Sequence, residues 1–272
     1  MTRPVRLGAV SYLNVRPLVD GLDALTDLVT LRFDVPSVCA DLLAAGEIDL
    51  GMVPSVAYPG RPGDRIVPGV CIGSDGPVAS VALFTRVPVA RITSVALDTS
   101  SRTSVALTRI LCARRFGIAP TFVAHPPDLD AMLAVADAAL LIGDPALFVE
   151  HDARQLEKID LGAEWTSMTG LPFVWAFWAG RPGAVDAAVV DALQQAAERG
   201  MRRTDRIADD YYADRPDRQA LAREYLREHL VFRFDDRAVE GLRRFYAEAL
   251  ALGLIDHTPS VEFFAASAGE GL

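Results

Sequence analysis

The chain has 272 residues, 51% of them apolar and 23% charged, enough to build two moderate cores or one large one, which excludes a disordered or fibrous protein. Its net charge of −9 speaks against nucleic acid or an anionic membrane surface as partner, because both attract a basic field. Lys158 is the only lysine among 27 basic residues, so a GxxxxGK[ST] phosphate loop is absent and a Schiff-base lysine would have to be that one residue, which argues against PLP and ATP chemistry. Cys39, Cys71 and Cys112 are odd in number and never paired as CxxC, the usage of a reduced compartment. The first ten residues reach polar Ser11 too soon for a signal-peptide core, and no run of about 18 apolar residues follows. A cytoplasmic protein that keeps its whole chain is expected.

Through the first 150 residues or so, short apolar runs alternate with helical periodicity, the pattern of βα units on a mostly parallel sheet. Arg6 to Val10 is a first strand, Pro17 to Leu25 a helix, and Leu28 to Val35 a second strand. Ser37 is a candidate N-cap for a helix from Val38 to Ala45 with Gly46 as its C-terminal cap, and Ile48 to Val53 is a buried strand. Ser80 to Arg86 and Ser94 to Leu97 read as strands, Ser100 to Arg115 as a helix, and Thr121 to Ala124 as extended. Leu129 to Val135 is helical and Ala138 to Ile142 a buried strand. A weak echo links two of these units, each a helix, an Asp (Asp49 or Asp137), an apolar strand and a polar turn. Beyond residue 182 the pattern becomes helix after helix: Ala184 to Arg203, Asp217 to His229, and Asp235 to Leu252 with Gly253 as stop. Val239, Leu242, Phe245, Tyr246 and Ala249 make one apolar face, and the many arginines of this region read as a solvated face.

GxGxxG, GxSxG and HExxH are absent, and His125, His151, His229 and His257 never fall at ligand spacing, so no metal is expected. What remains are polar turns after apolar strands, where open α/β sheets bind ligands. The first is Ser11-Tyr12-Leu13-Asn14; an Asn here can hold an ether or hydroxyl, or satisfy its own turn. The second is Pro54-Ser55, and the third runs from Gly76 to Ser80. The fourth, Asp98 to Ser104, puts five hydroxyls and Arg102 at a helix start; capping accounts for one hydroxyl, and the rest, Ser101, Thr103 and Ser104 among them, suit a carboxylate or phosphate. The fifth is Gly143-Asp144-Pro145, whose carboxylate is an acid, a base, a water holder or a helix cap. Trp165, Trp175 and Trp178 with Phe173 and Phe177 read as core or hinge packing.

Taken together, Gly8 to Asn14 with Arg16-Pro17-Leu18, Asp34 to Ser37, Ala45 to Ser55, Asp98 to Ser104 and Leu141 to Ala146 resemble the chorismate dehydratases of the futalosine route to menaquinone. The resemblance runs nearly the whole chain, to Glu240 to Tyr246 and Gly253-Leu254-Ile255; Ser-Tyr-Leu-Asn is its most specific motif. It implies an α/β fold of the type 2 periplasmic-binding-protein kind, two lobes around a cleft, with lobe one at 1–84 plus 179–272 and lobe two at 85–178. It also implies loss of water from chorismate, giving 3-[(1-carboxyvinyl)oxy]benzoate, with no cofactor and no metal. On that footing Asn14 and Ser80 meet the reacting ether and hydroxyl, Ser101, Thr103 and Ser104 seat a carboxylate with Arg102 adding positive potential, and Ser11, Tyr12 and Ser55 complete the binding surface. The base stays open between Asp144, a serine and the substrate's enolpyruvyl carboxylate. Two rivals stand beside this reading. The related dihydroxynaphthoate-forming enzyme looks like Leu-Ile-His-Glu where this chain has Leu141-Ile142-Gly143-Asp144, and a non-catalytic small-anion-binding protein would bring an export signal and a lipidation cysteine. Oligomeric state is not legible from the residues.

Overall fold

A computed structural model of the protein describes residues 3–265. Strand β1 (Val5–Val10) lies parallel to β2 (Val29–Asp34) and β3 (Leu50–Pro54), and its last four residues are buried. Between β1 and β2 the expected helix is replaced by two 3₁₀ turns, Leu13–Val19 and Leu22–Ala24, with Pro17 inside the first. Proline lacks the N–H that an α-helix needs there and disfavours helical backbone in the residue before it. Helix α1 (Pro36–Ala45) starts on Pro36, so Val35 rather than Ser37 is its N-cap; Gly46, at φ +73°, closes it by donating to the carbonyls of Leu42 and Leu43.

The chain continues through β4 (Arg65–Ser74), β5 (Val81–Thr85), β6 (Ser94–Asp98), α2 (Arg102–Leu111) with a π turn at Cys112–Phe116, β7 (Thr121–His125), α3 (Leu129–Val135), β8 (Ala138–Ile142) and α4 (Gly143–Leu147). Then come β9 (Glu157–Asp160), α5 (Leu161–Thr169), β10 (Phe173–Gly180), α6 (Ala187–Met201), α7 (Thr204–Tyr211) and α8 (Pro216–Glu224), which widens into a π turn at Tyr225–His229. β11 (Val231–Phe234) and α9 (Asp236–Ala251) complete the list of elements. One sheet has the order β11-β4-β10-β3-β1-β2 and the other β7-β6-β8-β5-β9.

Sheet membership moves the two crossovers by several residues from the expected positions. β5 pairs with β8 and β9, so the chain has entered the second lobe before Val81 rather than after residue 84; β10 pairs with β3 and β4, so it has returned before Phe173 rather than after residue 178. Both earlier boundaries would cut a strand. The first two and last seven residues, which the sequence reading gave to lobe one, lie outside the described residues.

Five strands of the first sheet match the five of the second one for one, with β11 the extra strand. β2-β1-β3-β10-β4 corresponds to β7-β6-β8-β5-β9, three parallel strands followed by one antiparallel strand that crosses from the other lobe's side of the chain. The echo in the sequence falls on equivalent positions. Just before β3, Asp49 accepts the backbone N–H of Arg6 at 2.9 Å; just before β8, Asp137 accepts those of Thr93 and Ser94 at 2.8 and 3.0 Å. Each carboxylate thus satisfies backbone donors where the neighbouring strand begins.

Trp165, Phe173, Phe177 and Trp178 of the aromatic stretch are core. Trp165 of α5 meets Phe173 edge-on at 5.2 Å and Phe245 of α9 at 6.4 Å, which packs the C-terminal helix against both lobes. Leu242, Phe245, Tyr246 and Ala249 of the predicted apolar face are buried, with Val239 at its margin.

Candidate active site between the lobes

The cleft is lined from both sheets by the turns that follow their central strands. From lobe one come Tyr12 and Asn14 after β1; from lobe two come Ser101, Thr103 and Ser104 at the start of α2, with Gly143 after β8; Ser80 stands on the crossover and Trp175 on β10. The enclosed space is about 60 Å³.

Each polar group is held by identifiable bonds. Ser80 is buried, its Oγ lies 2.7 Å from the Tyr225 hydroxyl, and its carbonyl accepts the Gly143 N–H at 2.7 Å. Asp160 fixes the crossover turn by accepting the N–H groups of Val78 and Ala79 at 3.0 and 2.6 Å. Lys158, the single lysine, donates to the Ala79 carbonyl at 2.7 Å, and burial pushes its pKa down. It is a tie for the crossover strand. At the start of α2, Ser101 caps the helix by accepting the Ser104 N–H at 3.3 Å and donates its own proton to Ser104 Oγ at 2.8 Å. Thr103 Oγ1 accepts the Val56 N–H across the cleft at 3.3 Å. Beneath them Asp98 is fully buried; Oδ1 takes both the N–H and the hydroxyl of Ser100, Oδ2 has no partner, and burial raises its pKa. Asn14 Oδ1 is likewise buried and unbonded. Such an acceptor costs about 1–3 kcal/mol unless a donor meets it.

Six of the residues picked from the sequence therefore share one cavity: Tyr12, Asn14, Ser80, Ser101, Thr103 and Ser104. Four do not. Ser55 is fully buried and spends its hydroxyl on the Val174 carbonyl at 2.6 Å, locking its turn to β10. Ser11 offers only its carbonyl, 3.1 Å from the Tyr211 hydroxyl. Arg102 does not line the cavity; it pairs with Asp41 of α1 at 2.7 Å, in an adjoining groove that shares Ser101 with it. Asp144 spans the lobes: Oδ1 accepts the Leu13 N–H at 3.2 Å and Oδ2 the Tyr211 hydroxyl at 2.6 Å. Burial raises its pKa, against the hydrogen bonds from Tyr211 and Leu13.

Gly143 is required where it stands. Its φ is +64°, and a Cβ there would lie 2.9 Å from the ring of Tyr12, so the ring can lie flat on this turn only because the side chain is absent. The reading of the sequence missed Tyr225 and gave Trp175 to core or hinge packing, whereas Trp175 lines the cavity. Tyr225 had been absorbed into a scaffold helix, and its one local signal, a π turn at the end of α8, is a feature of the backbone that residue types do not announce. The three cysteines are free and buried, and burial pushes the thiols of Cys39 and Cys112 up to about 12 and about 11, which suits packing and disfavours nucleophilic chemistry.

Comparison with known proteins decides the family. A family model described as menaquinone biosynthesis matches residues 5–251. The chain belongs to the menaquinone biosynthesis family. This family member is 31% identical over 271 residues to the chorismate dehydratase of Thermus thermophilus, a match that covers 92% of the chain and 96% of the relative. In structure it resembles a protein of Archaeoglobus fulgidus, with a TM-score of 0.74 and 15% identity over 93% of this chain and 98% of that one. It also resembles the periplasmic aliphatic sulphonate binding protein of Escherichia coli, with a TM-score of 0.69 and 15% identity over 100% and 95%. At such identities the structural likeness speaks for the fold alone, and the fold of this menaquinone biosynthesis family member is periplasmic-binding-protein-like. Among its described residues no helix is long and apolar enough to cross a membrane.

Proposed function

We propose that the chain is a chorismate dehydratase, a hydro-lyase that removes water from chorismate to give 3-[(1-carboxyvinyl)oxy]benzoate. The observation that carries this reading is the unbonded Asn14 acceptor in one interlobe cavity with Ser80 and the hydroxyl-rich start of α2, in a chain 31% identical to a chorismate dehydratase. The reaction leaves the oxidation level unchanged, so it calls for no redox cofactor. Three free, buried thiols support a cytoplasmic setting.

The chemistry follows from where charge develops. The ring hydrogen beside the enol ether is vinylogous to the ring carboxylate, so its removal loads charge onto that carboxylate. The N-terminus of α2, with its partial positive charge and the groups of Ser101, Thr103 and Ser104, is suited to seat it. Departure of the adjacent hydroxyl then makes the ring aromatic, and Asn14 and Ser80 are assigned to that hydroxyl and the ether. Asp144 lies outside the cavity with both oxygens bonded, so we assign it to holding the lobes together. The base is then a serine or the enolpyruvyl carboxylate of the substrate.

The test is ultraviolet absorbance after mixing the protein with chorismate. An aromatic product is expected, and an Asn14→Ala variant should lose roughly 5- to 150-fold in kcat, the rate equivalent of the about 1–3 kcal/mol carried by a buried hydrogen bond to the substrate. Binding without product would support a receptor instead, and full activity in the variant would overturn the role of Asn14.

A further inference from the structure

Resting on the dehydratase reading and going beyond it, we infer that Tyr225 is a positioning residue which sets the hydrogen-bond direction of Ser80, so that Ser80 presents a donor to the departing hydroxyl beside the Asn14 acceptor. Tyr225 is 1% exposed, and its hydroxyl lies 2.7 Å from Ser80 Oγ. Counting protons gives the polarity. A buried phenol must place its one proton on an acceptor, and Ser80 Oγ is the partner within hydrogen-bond distance. The phenolic proton therefore goes to Ser80 Oγ. Burial keeps the phenol protonated by raising its pKa, so this donor is not lost at neutral pH.

Two groups of opposite polarity then line the cavity. Asn14, one of its lining residues, has in Oδ1 a buried acceptor without a partner. Ser80 receives its bond from Tyr225 and keeps its own O–H for the space it lines. A substrate hydroxyl fits between them, donating to Asn14 Oδ1 and accepting from Ser80 Oγ–H. As the C–O bond breaks, the electron pair leaves on that oxygen, where the Ser80 donor is strengthened. The proton taken from the ring carbon and the departing hydroxide leave together as one water, so Ser80 and Tyr225 contribute a hydrogen bond and no net proton. A Ser80 that instead donated to Tyr225 would face the departing oxygen with lone pairs and oppose the step.

Tyr225→Phe removes one oxygen and keeps the ring. The expected result is a fall in kcat of about 10- to 100-fold, somewhat below the loss of a direct oxyanion donor, with KM within about twofold. Because Tyr225 acts through Ser80, Tyr225→Phe in a Ser80→Ala background should cost less than about twofold more. A purely structural role would make the two losses multiply. If Tyr225→Phe does not fold, 3-fluorotyrosine placed at position 225 keeps every contact while making the phenol a stronger donor, and kcat should move by more than twofold. Wild-type protein that forms no aromatic product from chorismate overturns the dehydratase reading and this inference with it. Active wild type with unchanged kcat in Tyr225→Phe, fully multiplying losses in the double variant, or an inert fluorotyrosine substitution overturns the role of Tyr225 alone.

Discussion

The Tyr211 hydroxyl donates to Asp144 Oδ2 at 2.6 Å, joining helix α7 of the first lobe to the turn after β8 of the second. The Leu13 N–H holds the other oxygen of the same carboxylate, so one side chain of lobe two grips two elements of lobe one. The cavity behind this clasp, about 60 Å³, is far below the roughly 300–1,000 Å³ of ordinary ligand sites. A ten-carbon dianion needs more room than this, so we expect the lobes to part on binding and the Asp144 clasp to break as they do.

Tyr211→Phe should therefore favour the open form. We expect KM for chorismate to rise about three- to tenfold with a smaller change in kcat, and the radius of gyration of the free protein in small-angle scattering to increase. The hydrogen bond to a charged group that is lost contributes about 1.5–3 kcal/mol. An unchanged KM and radius would show that the clasp has no part in closure.

Asp144 also gives stability a pH dependence of definite sign. Burial raises its pKa in the folded state, so the folded protein binds its proton more readily than the unfolded chain does. The resulting stabilisation is present in full below the unfolded pKa, about 3.9, and is lost as pH rises through the folded value. Asp144→Asn keeps the shape and removes the titration. Thermal melts of wild type and variant should therefore diverge as pH rises from about 4 toward neutrality, the wild type losing ground. A difference that stays flat over that range would mean that Asp144 titrates normally.

Arg102 lends itself to an equally direct measurement. Its guanidinium is 45% exposed and its partner Asp41 is 65% exposed, the setting in which an ion pair contributes about 0–1 kcal/mol. Arg102→Ala should change stability by less than about 1 kcal/mol and KM by less than about threefold. A rise in KM above about tenfold at constant kcat would return Arg102 to the substrate, reached by swinging inward from Asp41.

The order of elements was largely legible where one strand or helix was bounded by strong punctuation. α3 and β8 fall on the expected residues, and β1 and β3 within two, because short apolar runs sit between polar turns. β4 was not seen, since Pro68 and Gly69 interrupt its apolar pattern and β10 and β11 supply the pairing that makes it a strand. β11 has four residues between two helices, too few to show alternation. At the site, residue type told which turns were polar and could not tell which way each side chain faced. Ser101 and Arg102 are neighbours in the sequence, yet the helix start aims one at the cavity and the other at Asp41. Ser55 was chosen for its hydroxyl, and the strand beside it had already claimed that hydroxyl. The partner of Ser80 comes from Tyr225, a separation that no local motif spans.

The place of β10 between β3 and β4 also governs how the chain emerges from a ribosome. All five strands of the second sheet lie within residues 81–160 and can pair as soon as they are made. The first sheet lacks its middle strand until residue 180, so the inner edge of β3, finished at Pro54, stays open while a further 126 residues (180 − 54) are added. At about 5–20 residues per second that is roughly 6–25 s during which a fully buried strand of the finished protein presents its backbone to any other nascent chain. The strand that closes the edge of β3 is thus delivered by the younger half of the chain, and lobe two is ready to dock before lobe one is whole.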